Sequence, residues 1–511
     1  MRTKASRRDF LKLAAAGAVS APVVAAVRPR SETTARMGRA ARRNIVFILT
    51  DDQRYDHLGC MGHPFLQTPN LDALAAEGVL FENAFVTTAL CSPSRACILT
   101  GQYAHRHGVV DNVSPFPPEN VTFPELLQNQ GYRTAFIGKW HMGGASDAPQ
   151  PGFDRWVSFK GQGVYYDPQF NVDGQHTPRK GYVTDLLTDY AVKYIEQARR
   201  GDPFFLYLSH KAVHSNFQPA ERHKGCYADQ TYPQPASMAN TEENYRGKPN
   251  WVRAQRDSWH GVDGMYNNAV SYDDCFRTYA ETLRAVDDSV GRVVKTLKRK
   301  GLLESTLIVF TSDNGFLCGE HGLIDKRAMY EPSIRVPLIA LCPELIKGGE
   351  RRKEMILNID FAPTFLELAG GDVPDTMQGR SFHDLLGSSV ENWRGEFLYE
   401  YFWERSFPQT PTMLGVRTER HKLVKYHGIW DRAELYDVQA DPAEQNNLLG
   451  DFLVKRESSG LDSLIRNSTN EEVKALYADL DGRLSRLMEQ TGCAENPTWR
   501  TEAGANLISG S

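Results

Sequence analysis

Four runs of apolar residues, each ending abruptly in polar or charged ones, constrain this chain more than any other feature. Asn44-Ile45-Val46-Phe47-Ile48-Leu49-Thr50 is followed by Asp51-Asp52, and Thr134 to Gly138 by Lys139-Trp140-His141. Phe204 to Ser209 runs into His210 and then His214, and Thr306 to Ser312 into Asp313-Asn314. Strands exposed on one face alternate apolar with polar residues, whereas continuous runs belong to strands covered on both faces, as in a parallel sheet. Helices are predicted between the runs, near Leu71 to Gly78, Phe123 to Gln130 and Tyr182 to Arg200. A long one is predicted from Asp273 to Arg299, where Phe276, Tyr279, Leu283, Val286, Val290, Val293 and Leu297 recur at steps of three and four. The fold class is therefore α/β, with a large, mostly parallel sheet sandwiched by helices. In such a sheet the carboxyl ends of the strands share one edge, where ligands bind, so the polar clusters are predicted to converge there.

The two ends of the chain have a different texture. Ser6-Arg7-Arg8-Asp9-Phe10-Leu11-Lys12 precedes an alanine-rich stretch from Leu13 to Val27. This reads as a twin-arginine export signal over residues 1–30, cleaved near Ala25 or Ala26 and followed by a linker over 31–43. The stretch is too short to span a membrane comfortably, and no later segment has the required length. No stable membrane insertion is predicted, and the mature protein is placed in the periplasm or beyond. The α/β domain is placed at 44–370, and a smaller C-terminal α+β subdomain at 371–511. In the latter, Gly415 to Thr418 and His421 to Tyr426 read as short antiparallel strands and Glu471 to Gln490 as a closing helix. The 226–268 stretch has no clear period and reads as a long functional loop. The eight cysteines (Cys60, Cys91, Cys97, Cys226, Cys275, Cys318, Cys342 and Cys493) show no framework spacing, so buried thiols are expected, with room for one bridge. A net charge of -4 offers no basic field for nucleic acid, and any recognition of an anion must be local.

Within Cys91-Ser92-Pro93-Ser94-Arg95, Ser92 and Pro93 have the form of an N-cap followed by a first-turn proline. Cys91 is thereby predicted at the positive end of a helix, a place suited to a sulfate or phosphate ester. A cysteine before a helix is by itself more often structural than catalytic. The longer pattern reverses that preference: Cys-x-Pro-Ser-Arg followed by Leu99-Thr100-Gly101 resembles the maturation signature of the sulfatase family. Gly131-Tyr132-Arg133-Thr134-Ala135-Phe136-Ile137-Gly138-Lys139-Trp140-His141 is similar to a second signature of that family, without a gap. The resemblance extends through Asp313-Asn314-Gly315, Gly319-Glu320-His321-Gly322-Leu323, Glu434-Leu435-Tyr436-Asp437 and Asp441-Pro442. It implies an alkaline-phosphatase-like fold, a sulfuric ester hydrolase, and a maturation enzyme that oxidises Cys91 to formylglycine. In the implied reaction the hydrate of that aldehyde would attack sulfur and expel the alcohol, and loss of the proton from its second hydroxyl would let the adduct release sulfate and return to the aldehyde.

Asp51, Asp52, Asp313 and Asn314 offer only oxygen ligands, which suits Ca²⁺ or Mg²⁺ and argues against zinc. Locally, Asp-Asp could cap a helix and Asp-Asn-Gly could make a turn, but the placement of Asp-Asn-Gly after an apolar strand, opposite a second strand ending in paired carboxylates, favours a metal. The resemblance implies a calcium, sometimes magnesium, site at these four positions, completed by the modified Cys91. It further implies that Lys139 orients the formylglycine hydroxyls, that Arg95 is the structural anchor of the formylglycine close to the metal, and that His141 is the base for the hydrate. His214 and Lys326 are implied as sulfate ligands, one of which protonates the leaving alcohol. His210 and His321 are secondary candidates; His210 competes with His214 because Val213 stands where the family often has a proline before its histidine. Glu320 and Asp325 are expected to be structural. The expected substrate is a sulfated carbohydrate, with Tyr227, Tyr232, Trp251, Trp259, Tyr401, Trp403 and His421 available to contact sugar rings. Two readings compete: a phosphomonoester, phosphodiester or phosphonate hydrolase on the same scaffold, and a non-catalytic glycan-binding protein.

Overall fold

Each of the four apolar runs forms a strand at or within a residue of its predicted bounds. The computed structural model describes residues 42–144, 146–427, 433–450 and 470–493; the predicted export signal and all but the last two residues of the linker lie outside them. Strands β1 (Asn44–Thr50), β2 (Val79–Phe81), β3 (Arg133–Lys139), β4 (Arg155–Phe159), β5 (Gln169–Val172), β6 (Gln175–Pro178), β7 (Phe204–Ser209), β8 (Thr306–Ser312), β9 (Leu338–Leu341) and β10 (Glu350–Arg352) make one ten-stranded sheet. Its order is β10-β2-β9-β8-β1-β7-β3-β4-β5-β6. The centre, from β8 to β4, is parallel. Antiparallel strands flank it on both sides.

Helices α1 (Pro69–Glu77), α2 (Cys91–Thr100), α3 (Phe123–Asn129), α4 (Val183–Glu196), α5 (Tyr272–Lys300) and α6 (Phe361–Leu368) cover the sheet. Because successive strand residues point to opposite faces, β1 divides its side chains between two cores. Ile45, Phe47 and Leu49 join α2, α3 and α6 on one face. Val46 and Ile48 join α1, α4 and α5 on the other. Burial on both faces is why the runs read as continuous.

Strands β11 (Glu396–Tyr401), β12 (Met413–Thr418), β13 (His421–Tyr426) and β14 (Ala433–Asp437) form a four-stranded antiparallel sheet. Helix α7 (Glu471–Thr491) is tied to it by Lys425–Asp481 at 2.9 Å and Arg483–Glu396 at 2.8 Å. The apolar core of this sheet is continuous with the first face of the large one; the Phe85 and Phe397 rings lie 5.1 Å apart. None of the eight cysteines, all of them among the described residues, is joined in a disulfide, so the room left for a bridge is not used.

Candidate active site

The sheet order sets β8, β1, β7 and β3 side by side, and their carboxyl ends carry Asp313-Asn314, Asp51-Asp52, His210 to His214 and Lys139 to His141. Backbone bonds lock the ends in register: Asp313 donates to the Thr50 carbonyl at 3.0 Å and Val213 to that of Asp51 at 2.7 Å. At Asp52 the chain turns left-handed, with φ 60°. Strand alternation is broken there, so two consecutive carboxylates face the same site. Gly138 has φ 129°, and a Cβ there would lie 1.7 Å from the Ser209 carbonyl oxygen. Only glycine lets β3 approach β7 closely enough to deliver Lys139.

Cys91 is the first residue of α2 and is fully buried. Leu90, rather than Ser92, is the N-cap, and Ser94 donates to the Leu90 carbonyl at 2.9 Å. Ser92 cannot cap because its hydroxyl donates to the His141 carbonyl, while Asn112 Oδ1 accepts from its backbone N–H at 3.0 Å. The Cys91 thiol lies 3.5 Å from Asp51 Oδ1 and 4.0 Å from Asp52 Oδ1. One helical turn on, Arg95 reaches Asp313 Oδ2 (2.9 Å from Nε), the Lys139 carbonyl (2.7 Å) and Ser209 Oγ (2.7 Å). Lys139 donates to Asp51 and to Gln162. Lys326 donates to both oxygens of Asp52, at 2.7 and 2.6 Å. A chain of bonds from the C-terminal sheet holds Lys326 near Cys91: Arg327 N donates to the Ala89 carbonyl at 3.0 Å, and Tyr399 Oη donates to the Arg327 carbonyl at 2.5 Å.

Asp51, Asp52 and Asp313 are fully buried, and one oxygen of each lies within 4.8 Å of the others. Burial pushes Asp52 up to about 7; Lys326 opposes the rise, and Asp51 and Asp313 add to it. Burial pushes Asp51 up as well, but Lys139, His214, Arg95 and Lys326 together hold it well below the usual carboxylate range. Asn314 donates through Nδ2 to Asp52 Oδ1 at 2.7 Å, leaving its buried Oδ1 without a hydrogen-bond partner. Crowded carboxylates beside an orphaned amide oxygen fit a hard divalent cation. Asp51, Cys91 and His214 also form a close group, in which burial and then Asp51 push the Cys91 thiol well above its ordinary value. A third group, His105, Glu400 and Cys493, has both His105 nitrogens engaged, by Glu400 at 2.7 Å and the Thr491 carbonyl at 3.0 Å.

His141 lies by Ser92 Oγ, 3.3 Å from its Nδ1, and His214 Nε2 lies 3.9 Å from Asp52. Burial, followed by Lys139, keeps both imidazoles well below their ordinary value and therefore neutral. His210 corrects the sequence reading: its ring turns away from the strand edge toward α5, with Nε2 3.2 Å from Ser289 Oγ. His321 is buried against Tyr330 at a centroid distance of 4.1 Å, and its backbone is held by Ser237 Oγ and the Tyr245 hydroxyl, both at 3.2 Å. Trp251 packs its ring edge against Tyr426, and Tyr227, Tyr232 and Tyr401 are buried too, so none presents a face to a sugar. Trp259, 41% exposed, does line a cavity of about 440 Å³ with His260 and Phe407. Gln162, which accepts from Lys139, was missed in the sequence because it lies in no recognisable motif.

Burial pushes His210 down to about 4. It is neutral when folded and protonatable when unfolded, so its stabilising contribution is complete above about pH 6.5 and is lost as pH falls toward 4. Between pH 7 and 5 this single group should account for about 2 kcal/mol of lost stability. Urea unfolding of His210→Gln should show a correspondingly smaller drop than wild type over that interval; equal drops would refute the assignment.

A profile of the sulfatase family matches residues 43–371, and one described as N-sulphoglucosamine sulphohydrolase, C-terminal, matches 319–471. The N-acetylglucosamine-6-O-sulfatase of Bacteroides thetaiotaomicron is 36% identical over 497 residues, covering 86% of this chain and 88% of its own. Human N-acetylglucosamine-6-sulfatase is 34% identical over 398 residues, 73% of this chain and 69% of its own. A solved structure described as a complex with its substrate D-glucosamine-2-N,6-O-disulfate superposes with a TM-score of 0.78 at 34% identity, covering 89% of this chain and 99% of that one. Since the first profile spans the whole ten-stranded sheet and every strand end that builds the site, the chain belongs to the sulfatase family and is a sulfate ester hydrolase.

Proposed function

We propose that this protein removes the 6-O-sulfate of a glucosamine residue in a sulfated glycan, using a formylglycine made from Cys91 and a bound divalent cation, Ca²⁺ or Mg²⁺. What carries the reading is the likeness over 86% of the chain to an enzyme named for that reaction, joined to a site built around Cys91. The named relatives favour sulfate over phosphate esters and over a non-catalytic role.

When present, the aldehyde supplies a hydrated oxygen nucleophile with a second hydroxyl for release, and the cation held by Asp51, Asp52, Asp313 and Asn314 supplies Lewis acidity. Lys139 and Arg95 fix the carboxylate frame around position 91. His141 donates from Nδ1 to Ser92 Oγ, which leaves neutral Nε2 as the base. His214 must carry its proton on Nδ1, because Nδ1 lies 2.6 Å from the Ser215 carbonyl; Nε2 therefore faces the site as an acceptor. Lys326, kept protonated by Asp52 against the effect of burial, is then the group with a proton to give the leaving alcohol.

Export by the twin-arginine route, which carries folded protein, would follow maturation by a formylglycine-generating enzyme. Among the described residues no helix is long and apolar enough to cross a membrane. Replacing Arg7 and Arg8 by lysine should abolish export, and unchanged export would refute that route.

Initial rates on N-acetylglucosamine 6-sulfate, its 3-sulfate isomer and an aryl phosphate test the activity. The 6-sulfate should be preferred by at least about 100-fold, because misplacing the sulfate leaves the site's polar groups unpaired. A faster phosphate reaction would overturn the reading. Chelation should abolish turnover and lower the melting temperature, and Ca²⁺ at a hundred times its dissociation constant should restore about 2.7 kcal/mol. No stability change on chelation would argue against a metal at these carboxylates.

A further inference from the structure

Lys211 is the buried cation that the scheme above leaves without a task. It follows the end of β7 and is 3% exposed. Its Nζ sits 4.5 Å above the centroid of the Tyr165 ring, and Tyr165 is itself fixed by a 2.6 Å bond from its hydroxyl to the His214 carbonyl. Every other cation here has its own carboxylate: Lys139 with Asp51, Lys326 with Asp52 and Arg95 with Asp313. Lys211 has none, and among the described residues nothing accepts a hydrogen bond from its ammonium. A buried charge without a counter-ion is costly and persists where a ligand completes it.

We propose that Lys211 is an additional sulfate-binding residue, whose ammonium takes the oxygens of the substrate's sulfate group and then holds the inorganic sulfate left after cleavage. The proposal rests on the sulfatase reading and deepens it. Burial and then Lys139 push this lysine down to about 8, so it keeps its proton at neutral pH. The Tyr165 ring beneath the ammonium is bonded to the backbone of His214, whose Nε2 lies 3.9 Å from Asp52, so Lys211 belongs to the same strand-end edge as the carboxylates. A sulfate ester carries a single negative charge and free sulfate a double one. A cation not already neutralised gains from the first and more from the second.

The test compares the mature, metal-loaded enzyme with Lys211→Met, using inorganic sulfate as the probe. Sulfate should raise the wild-type melting temperature and inhibit hydrolysis. In K211M the inhibition constant for sulfate and KM should each rise about 10- to 100-fold, as for loss of a charged hydrogen bond, with a smaller change in kcat. Without sulfate, K211M should melt at or above the wild-type temperature, because an unpaired buried charge has gone. A purely structural lysine would do the opposite, lowering the melting temperature and leaving sulfate affinity intact. An unchanged inhibition constant in K211M, or a wild type whose melting sulfate does not shift, would overturn the proposal. Lys211→Gln carries the same comparison if K211M does not accumulate folded. Wild-type turnover of the sulfated sugar reports separately on the sulfatase reading.

Discussion

Cys91→Ser should fold, bind the divalent cation and lose multiple turnover by on the order of 10³-fold or more. Serine nearly matches the buried thiol in size, and its hydroxyl can donate to Asp51 as the thiol does at 3.5 Å. The change in stability should therefore stay within about 1 kcal/mol. What serine lacks is the second oxygen through which a sulfated adduct is released, so mass spectrometry of the 91 peptide should find a trapped sulfate ester. The wild-type peptide from active enzyme should carry an aldehyde in place of the thiol. Normal turnover by the serine variant, or an unmodified thiol in fully active enzyme, would sink the mechanism. The structure adds a reason to expect the modification: burial and Asp51 both disfavour the thiolate, so sulfur itself is a poor nucleophile here.

Arg95→Lys should cost nearly as much as Arg95→Ala, although it keeps the charge. The guanidinium spans Asp313, the Lys139 carbonyl and Ser209 Oγ at once, a fork that an ammonium cannot reproduce. Leaving a buried carboxylate with a broken pair costs about 3–5 kcal/mol. The same rupture loosens the register between β3, β7 and β8, on which Lys139 and Asp313 depend. Both variants should show a large drop in urea midpoint together with a fall in kcat of on the order of 10²-fold. A lysine variant with wild-type stability and rate would show that charge alone matters at this position.

Much of this was legible in the sequence, for particular reasons. The parallel centre of the sheet was legible because strands buried on both faces leave unbroken apolar runs. The antiparallel margins were not, because strands such as Val79–Phe81 and Glu350–Arg352 are too short to carry a period. Cys91, Asp51, Asp52, Asp313 and Asn314 could be named because each directly follows a strand or lies in a recognisable motif. The helix start was placed two residues late, with Ser92 rather than Leu90 as the N-cap, since the partners that occupy Ser92 come from Asn112 and His141.

Histidines and aromatics mark the limit of that reading. Neither spacing nor composition separates His214, beside Asp52, from His210, turned toward Ser289, because the difference lies in how the chain bends after β7. Trp251 and Trp259 look alike as loop tryptophans, yet one is packed into the core and the other exposed. The sequence by itself determined the parallel centre of the sheet, the place of Cys91 in a recognisable motif and the oxygen-bearing side chains at the strand ends, all written in local patterns. Only the tertiary structure decided which cations are already neutralised by carboxylates, and so left Lys211 uncompensated. Pairing among buried charges depends on distances between strand ends, and those follow from sheet order rather than from neighbours along the chain.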